Sequence, residues 1–250
     1  MPTSLPASSG VAVVTGGGYG IGRATCRLLA AEGWSLAVVD RDERRVAETV
    51  SLVRSAAGQA EGVVGDVTEF DTALKAVQTA SAHFGRVTGL VTCAALRHVG
   101  GIVDITAAQW DETIKVILYG AFNFCKAVVP AMISAGGGSI VNVSSPDAFG
   151  RRGMVAYSAA KAGLNALSTC LAADHLEHHI RVNTVLPGFT LTGMTEHYPA
   201  ERLEKAQADQ VAGRAATPDE IARLIVFLIS SAGETFTGGL FGNLPLPGSR

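Results

Sequence analysis

The chain has 250 residues, 48% of them apolar, with 20 Lys plus Arg against 22 Asp plus Glu for a formal charge of −2. This is ample material for one large core, and the near-neutral balance gives no general attraction to phosphate backbones or acidic lipid surfaces. Nucleic-acid and membrane partners are therefore not expected.

Residues 1–10 lack the basic start and apolar run of a signal peptide and are read as a flexible tail ahead of one domain spanning 11–250. Val11–Thr15 is an apolar strand candidate, followed by a glycine-rich turn and a helix over Gly22–Glu32. Strand candidates continue at Ser35–Val39, Glu61–Val64, Gly89–Thr92, Ser139–Val143 and Arg181–Leu186. Ala-rich helical stretches lie between them, at Glu43–Ala56, Asp71–Phe84, Trp110–Ile133 and Tyr157–Leu176. Gly136-Gly137-Gly138 is read as a flexible connection. Thr217 is an expected N-cap, with Pro218 in the first turn and Glu220 closing a capping box on a helix that runs to about Ser230. No segment has the roughly 18 consecutive apolar residues of a membrane span. The alternation predicts an α/β fold, a single doubly wound Rossmann domain with a parallel sheet, helices on both faces and ligands at the carboxyl ends of the strands.

Cys26, Cys93, Cys125 and Cys170 are widely spaced in apolar stretches with no CxxC pair, so they read as reduced, buried hydrophobes. No His/Asp/Glu grouping points to a metal. A soluble cytoplasmic protein is expected.

Within the first turn, Gly16, Gly20 and Gly22, with Tyr19 and Ile21 between them, form a strand–turn–helix junction. Such glycines let the backbone approach a pyrophosphate, and the free N–H groups of the helix start favour its charge. An ordinary tight turn has the same glycines. Asp40 follows the second strand, eighteen residues after Gly22, where a carboxylate accepts hydrogen bonds from adenosine ribose hydroxyls and meets a 2′-phosphate unfavourably. NAD is thus expected over NADP, although Arg41 stands next to it. Asp66-Val67 follows the third strand and suits the adenine edge, or equally a helix cap.

Tyr157 and Lys161 are four residues apart on one face of an Ala-rich helix. A cation about 5 Å from the phenol, at an effective dielectric of about 20, contributes on the order of 3 kcal/mol, or about two pKa units, toward the phenolate. Simple packing of a ring on a lysine stem gives the same spacing.

Taken together, these segments resemble the short-chain dehydrogenase/reductase family. Its TGxxxGxG turn is matched by Thr15, Gly16, Gly20 and Gly22, and its YxxxK helix by Tyr157 and Lys161. Its serine at the end of the preceding strand is matched by Ser144-Ser145, and its Pro-Gly segment by Pro187-Gly188. The likeness runs in order from about Val11 to Thr237. It implies that Tyr157 is the general acid/base, that Lys161 lowers its pKa and holds the nicotinamide ribose, and that a serine binds the substrate oxygen. Strand register favours Ser145 for that role, whereas the usual distance to the tyrosine favours Ser144. Pro187, Gly188, Thr190 and Thr192 are expected at the nicotinamide end. A secondary alcohol or ketone is the implied substrate, with a 3-oxoacyl thioester or a catalytically silent NAD-binding scaffold as alternatives, and the implied assembly is a homo-tetramer or dimer.

Three departures stand out. Ile117 occupies the place of an asparagine that anchors a water beneath the lysine, so the proton relay must be rerouted, weakened or absent. Thr92-Cys93-Ala94-Ala95 replaces the family's Asn-Asn-Ala-Gly turn, and Phe241-Gly242-Asn243-Leu244-Pro245-Leu246-Pro247 replaces its C-terminal Val-Asp-Gly-Gly. Residues expected to face substrate are Leu96, Arg97, His98, Asp147, Phe149, Arg151, Arg152, Phe189, Met194 and Tyr198. Arg151-Arg152 is read as a solvated pair sooner than a carboxylate site, and His197 as a surface residue.

Overall fold

The computed structural model describes residues 9–193, 195, 198–208 and 210–242. Seven parallel strands form one sheet in the order β3-β2-β1-β4-β5-β6-β7. They are β1 (Val11–Thr15), β2 (Ser35–Asp40), β3 (Gln59–Val64), β4 (Val87–Thr92), β5 (Gly138–Val143), β6 (Ile180–Leu186) and β7 (Leu240–Gly242). The helices are α1 (Gly20–Ala31), α2 (Glu43–Ser55), α3 (Phe70–Phe84), α4 (Ala107–Ile114), α5 (Gly120–Ala135), α6 (Val155–Asp174), α7 (Ala200–Ala208) and α8 (Pro218–Ile229).

Strands β1, β2 and β4 have no polar face because both of their faces are covered, whereas the edge strand β3 mixes buried and exposed residues. Val11 and Val13 of β1 pack with Ala73 and Ala76 of α3 and Phe124 and Val128 of α5. Their neighbours Ala12 and Val14 point to the other side, with Leu29 of α1, Val50 of α2 and Ile225 of α8. The strand order reverses between β1 and β4, and such a switch point leaves a crevice at the carboxyl ends of the strands.

Several boundaries differ from expectation. The predicted helix Trp110–Ile133 is a longer run, 107–135, interrupted by a π turn at Lys115–Tyr119. An 18-residue window of that run is apolar enough by composition to cross a membrane, with a mean hydropathy of 1.7, contrary to the reading above. Over half of its apolar window is buried within the fold. The glycine triplet is a defined helix stop, not a loose connection. Gly136 takes the left-handed C-cap of α5 (φ +89°), Gly137 has φ +143°, and Gly138 already belongs to β5. Cys26 and Cys125 are buried, but Cys93 is partly exposed and Cys170 lies on the outer face of α6. The Thr217–Glu220 capping box forms as predicted, with α8 ending at Ile229. Strand β7 and helix α7 were not foreseen; β7 pairs with β6 through Phe241 and Gly242, while Asn243 to Pro247 lie outside the described residues.

Candidate active site

A cleft of about 1440 Å³ runs along the carboxyl ends of the strands. It exceeds the roughly 300–1,000 Å³ of a site for one drug-sized ligand, so it has room for a dinucleotide and a substrate side by side. Gly16, Tyr19, Gly20, Ile21, Gly22, Asp40, Asp66, Val67, Ser144, Ser145, Tyr157, Lys161, Pro187, Gly188, Thr190 and Thr192 all line it.

At one end is the start of α1. Gly16 and Gly20 have positive φ (+61° and +54°), and a Cβ on Gly22 would lie 2.1 Å from the Gly16 carbonyl oxygen. Only glycine allows this turn to close so tightly. Tyr19 caps α1 without a side-chain hydrogen bond, and the first turn carries no acid, so the helix's N–H groups present their partial positive charge to the cleft. Asp40 anchors the turn from β2, accepting from the Gly18 N–H at 3.1 Å and from the Asp42 N–H at 3.1 Å. The donor set and the glycine cradle fit the diphosphate and ribose of a nicotinamide dinucleotide. Arg41 and Arg45 line the same end. Arg45 is engaged by Asp42 at 3.3 Å and lies 4.9 Å from the centroid of the Tyr19 ring.

The other expected residues are placed as follows. Asp66 closes its own turn, its Oδ1 accepting from the Thr68 N–H at 2.9 Å, and the Val67 carbonyl accepts from Asn123 at 3.1 Å. Thr190 donates to the Gly188 carbonyl at 3.0 Å, and the Thr192 N–H donates to the Thr195 hydroxyl at 3.0 Å. Of the residues expected to face substrate, Leu96, Arg97, Asp147, Arg151, Arg152 and Phe189 line the cleft. His98 instead pairs with Glu112 at 2.7 Å, Phe149 is exposed, and Tyr198 stacks on Phe189 at 6.0 Å. Met194 and His197 lie outside the described residues.

The altered turn after β4 is well held without the family's asparagines. The N–H groups of Cys93 and Ala94 donate to the Thr15 hydroxyl at 3.2 and 3.4 Å, and Cys93 N–H also donates to the Thr15 carbonyl at 3.1 Å. Behind it, Thr92 donates to Asn142 Oδ1 (2.6 Å), Asn142 Nδ2 to Ser168 (2.8 Å), and Ser168 to the Leu164 carbonyl (2.7 Å). This buried chain ties β4 and β5 to the helix that carries Tyr157 and Lys161. Sequence reasoning missed it, although polar Asn142 inside an apolar strand was the signal.

The two serines diverge. Ser144 donates to the Lys161 backbone carbonyl at 3.3 Å, which directs it into α6. Ser145 accepts from the Asp147 N–H at 3.1 Å and is hydrogen-bonded to the Tyr157 side chain.

Lys161 is 2% exposed, and its Nζ donates to the Val143 carbonyl at 2.6 Å and lies 5.6 Å from the centroid of the Tyr157 ring. Burial pulls its pKa down to about 8. Burial likewise pushes the Tyr157 phenol up to about 12, aided by the Asp147 carboxylate and opposed by Arg97 and the Ser145 hydrogen bond. The expected lowering of the phenol by a neighbouring cation is therefore opposed by burial. Desolvation of a nearly buried ring outweighs the protein's own cations.

Ile117, 2% exposed at the centre of the π turn, packs with Tyr157, Ala121, Ala160 and Leu164. Thr113, the polar neighbour one turn away, is committed to the Gln109 carbonyl at 2.8 Å. The family's relay position is thus filled by hydrocarbon.

A buried lysine with a lowered pKa has a consequence for stability. Between about pH 8 and its ordinary value of 10.5, the unfolded chain holds the Lys161 proton more strongly than the folded one, so this group makes stability rise with pH. The thiols of Cys26, Cys93 and Cys125, all with pKa raised by desolvation, act in the opposite direction above about pH 9. The comparison must therefore be with Lys161→Met. The difference in unfolding free energy between wild type and this variant is expected to rise across the window by up to about 3 kcal/mol. Denaturant titrations over pH 7–11 measure it, and parallel profiles would contradict it.

A family model described as short chain dehydrogenase matches residues 10–203. Short-chain reductase protein NovJ of Streptomyces niveus is 37% identical, over 91% of this chain and 90% of its own. The 3-oxoacyl-acyl-carrier-protein reductase FabG of Thermotoga maritima is 35% identical (93% and 95%), and the (3R)-3-hydroxyacyl-CoA dehydrogenase of Rattus norvegicus 34% identical (96% and 100%). The crystal structure of gox2181 superimposes with a TM-score of 0.88 at 32% identity, over 93% of each chain. With a Rossmann-like parallel sheet, a glycine-rich turn and a Tyr–Lys helix on one cleft, this chain belongs to the short-chain dehydrogenase/reductase family of oxidoreductases.

Proposed function

We propose that the protein uses NAD(H) to interconvert a secondary alcohol and a ketone, with Tyr157 as general acid/base. The observation that carries this reading is that Tyr157, Ser145 and Lys161 open onto the same cleft as the N-terminus of α1. The N–H groups at the start of α1 hold the diphosphate, Asp40 the adenosine ribose and Asp66-Val67 the adenine edge. Lys161 holds the nicotinamide ribose, and Pro187, Gly188, Thr190 and Thr192 border the nicotinamide. When bound, that ring supplies or accepts the hydride. A carboxylate at Asp40 disfavours a 2′-phosphate, which makes NAD the preferred cofactor over NADP.

Tyr157, a phenol near pKa 12, is protonated at neutral pH and so is set to give its proton to the oxygen of a ketone. Ser145 donates a hydrogen bond to the same oxygen as negative charge develops there. In the oxidative direction the proton moves from the alcohol to Tyr157. Because Ile117 closes the route beneath Lys161, Tyr157 exchanges its proton through the open cleft.

A second reading, reduction of a 3-oxoacyl thioester by the same residues, is favoured by the names of the Thermotoga and rat relatives. A panel of neutral ketones, oxo acids and 3-oxoacyl thioesters with NADH tests both. At least one member is expected to be reduced, with kcat lowered on the order of 100-fold in Ser145→Ala and changed only about threefold in Ser144→Ala. No turnover across the panel, or equal rates in Ser145→Ala, would overturn the assignment.

A further inference from the structure

The loop that follows β3 is held along one face of α5. The Asn123 side chain, 7% exposed, donates from Nδ2 to the Val67 carbonyl at 3.1 Å and to the Thr68 carbonyl at 3.0 Å. An amide oxygen in that place would face two acceptors, so the amino group alone fits. Three residues earlier on the same face, a Cβ on Gly120 would lie 2.8 Å from Val67 Cγ2 and 3.2 Å from Val67 Cβ, so the glycine leaves the room in which the valine sits. Three residues later, Lys126 Nζ lies 5.4 Å from the centroid of the Phe70 ring at the start of α3. Steps of three along α5 thus follow the chain from Val67 to Phe70.

The same loop is tied to its other neighbours by its backbone. The Gly65 N–H donates to the Asp40 carbonyl at 3.1 Å, the Glu69 N–H to the Asp66 carbonyl at 3.2 Å, and the Thr68 N–H to Asp66 Oδ1 at 2.9 Å. The π turn at Lys115–Tyr119 ends directly before Gly120, and its one extra residue rotates the helix that follows by about 100°. That rotation sets which face of α5 meets the loop. Neither Gly120 nor Asn123 lines the cleft, so both act on it through Val67 and Thr68.

We propose that Asn123 and Gly120 are positioning residues of the adenine subsite, fixing the Asp66–Val67 loop in the setting that separates adenine from another purine. This rests on the cofactor reading above, which puts the adenine edge on Asp66-Val67, a carboxylate acceptor beside a backbone N–H donor. Adenine offers the complementary pair, an amino donor and the N1 acceptor. Hypoxanthine offers the reverse, an oxo acceptor and an N1–H donor. Discrimination between the two depends on where the loop holds its own pair, because a hydrogen bond weakens steeply as its angle falls.

The test is a calorimetric titration of the full-length protein with NADH and with reduced nicotinamide hypoxanthine dinucleotide, which differ only at that purine edge. Wild type is expected to bind NADH at least about tenfold more tightly than the hypoxanthine analogue. In Asn123→Ala, NADH should weaken by about tenfold and the analogue by less than about threefold, so that most of the discrimination is lost. Asn123→Ser keeps one donor and should restore part of it, and Gly120→Ala should reduce it with Asn123 in place. Equal weakening of both dinucleotides in Asn123→Ala would overturn the proposal, since it would make the side chain a general support of the fold. An unchanged ratio in all three variants, or equal affinities in wild type, would overturn it as well. If NADH fails to bind wild type, the cofactor reading falls and this inference with it; if NADH binds and the ratio does not move, this inference alone is lost.

Discussion

Tyr157→Phe is expected to lower kcat by roughly 10²–10⁴-fold while changing NADH affinity by less than about threefold. The substitution removes one hydroxyl and little else. The Tyr157 ring is 8% exposed and packs with Ile117, Ala121, Met154, Ala160 and Leu164, contacts that a phenylalanine ring keeps. What disappears is the proton that the carbonyl oxygen must receive and the hydrogen bond that aligns Ser145. Steady-state rates on any substrate found for the wild type, with calorimetric NADH binding in parallel, separate the two effects. Equal rates in the variant would show that the proton comes from another group.

Replacing Asp40 by serine is expected to shift the ratio of NADH to NADPH affinity toward NADPH by roughly 100-fold. Two contributions act in the same direction. The variant loses charge-assisted hydrogen bonds to the ribose, each about 1.5–3 kcal/mol, and it loses the repulsion that a 2′-phosphate meets. With the carboxylate gone, Arg41 and Arg45 remain at that end of the cleft as cations. The glycine turn also loses its acceptor for the N–H groups of Gly18 and Asp42, so the melting temperature should fall somewhat. An unchanged ratio in titrations of the variant would remove Asp40 from cofactor choice.

The sheet and the cofactor end were legible because their signals are local. β-branched runs, glycines at fixed offsets and the Thr217–Glu220 box each specify their own backbone, and six of the seven strands lie where the pattern puts them. Strand β7 has only three residues and no alternation to read, and its pairing to β6 is a long-range fact. The π turn at Lys115–Tyr119 was equally hidden, since a single widened turn leaves the apolar pattern of the helix almost intact.

The chemistry was less legible for a related reason. The spacing of Tyr157 and Lys161 shows that they share a helix face but not that both are buried, and burial sets the direction of both pKa values. The serine ambiguity came from counting along the chain. The fold separates the pair by sending one hydroxyl to the Lys161 carbonyl and the other to Tyr157. Arg97 could be named as a lining residue, yet its support by Tyr198 joins segments about a hundred residues apart.

The most direct test of the central claim is a calorimetric titration of the purified wild-type protein with NADH and, in parallel, NADPH. The account predicts saturable binding of NADH at one site per chain, at least about tenfold tighter than NADPH. Tighter binding of NADPH would contradict the role given to Asp40, and binding of neither would contradict the assignment of the cleft to a nicotinamide dinucleotide.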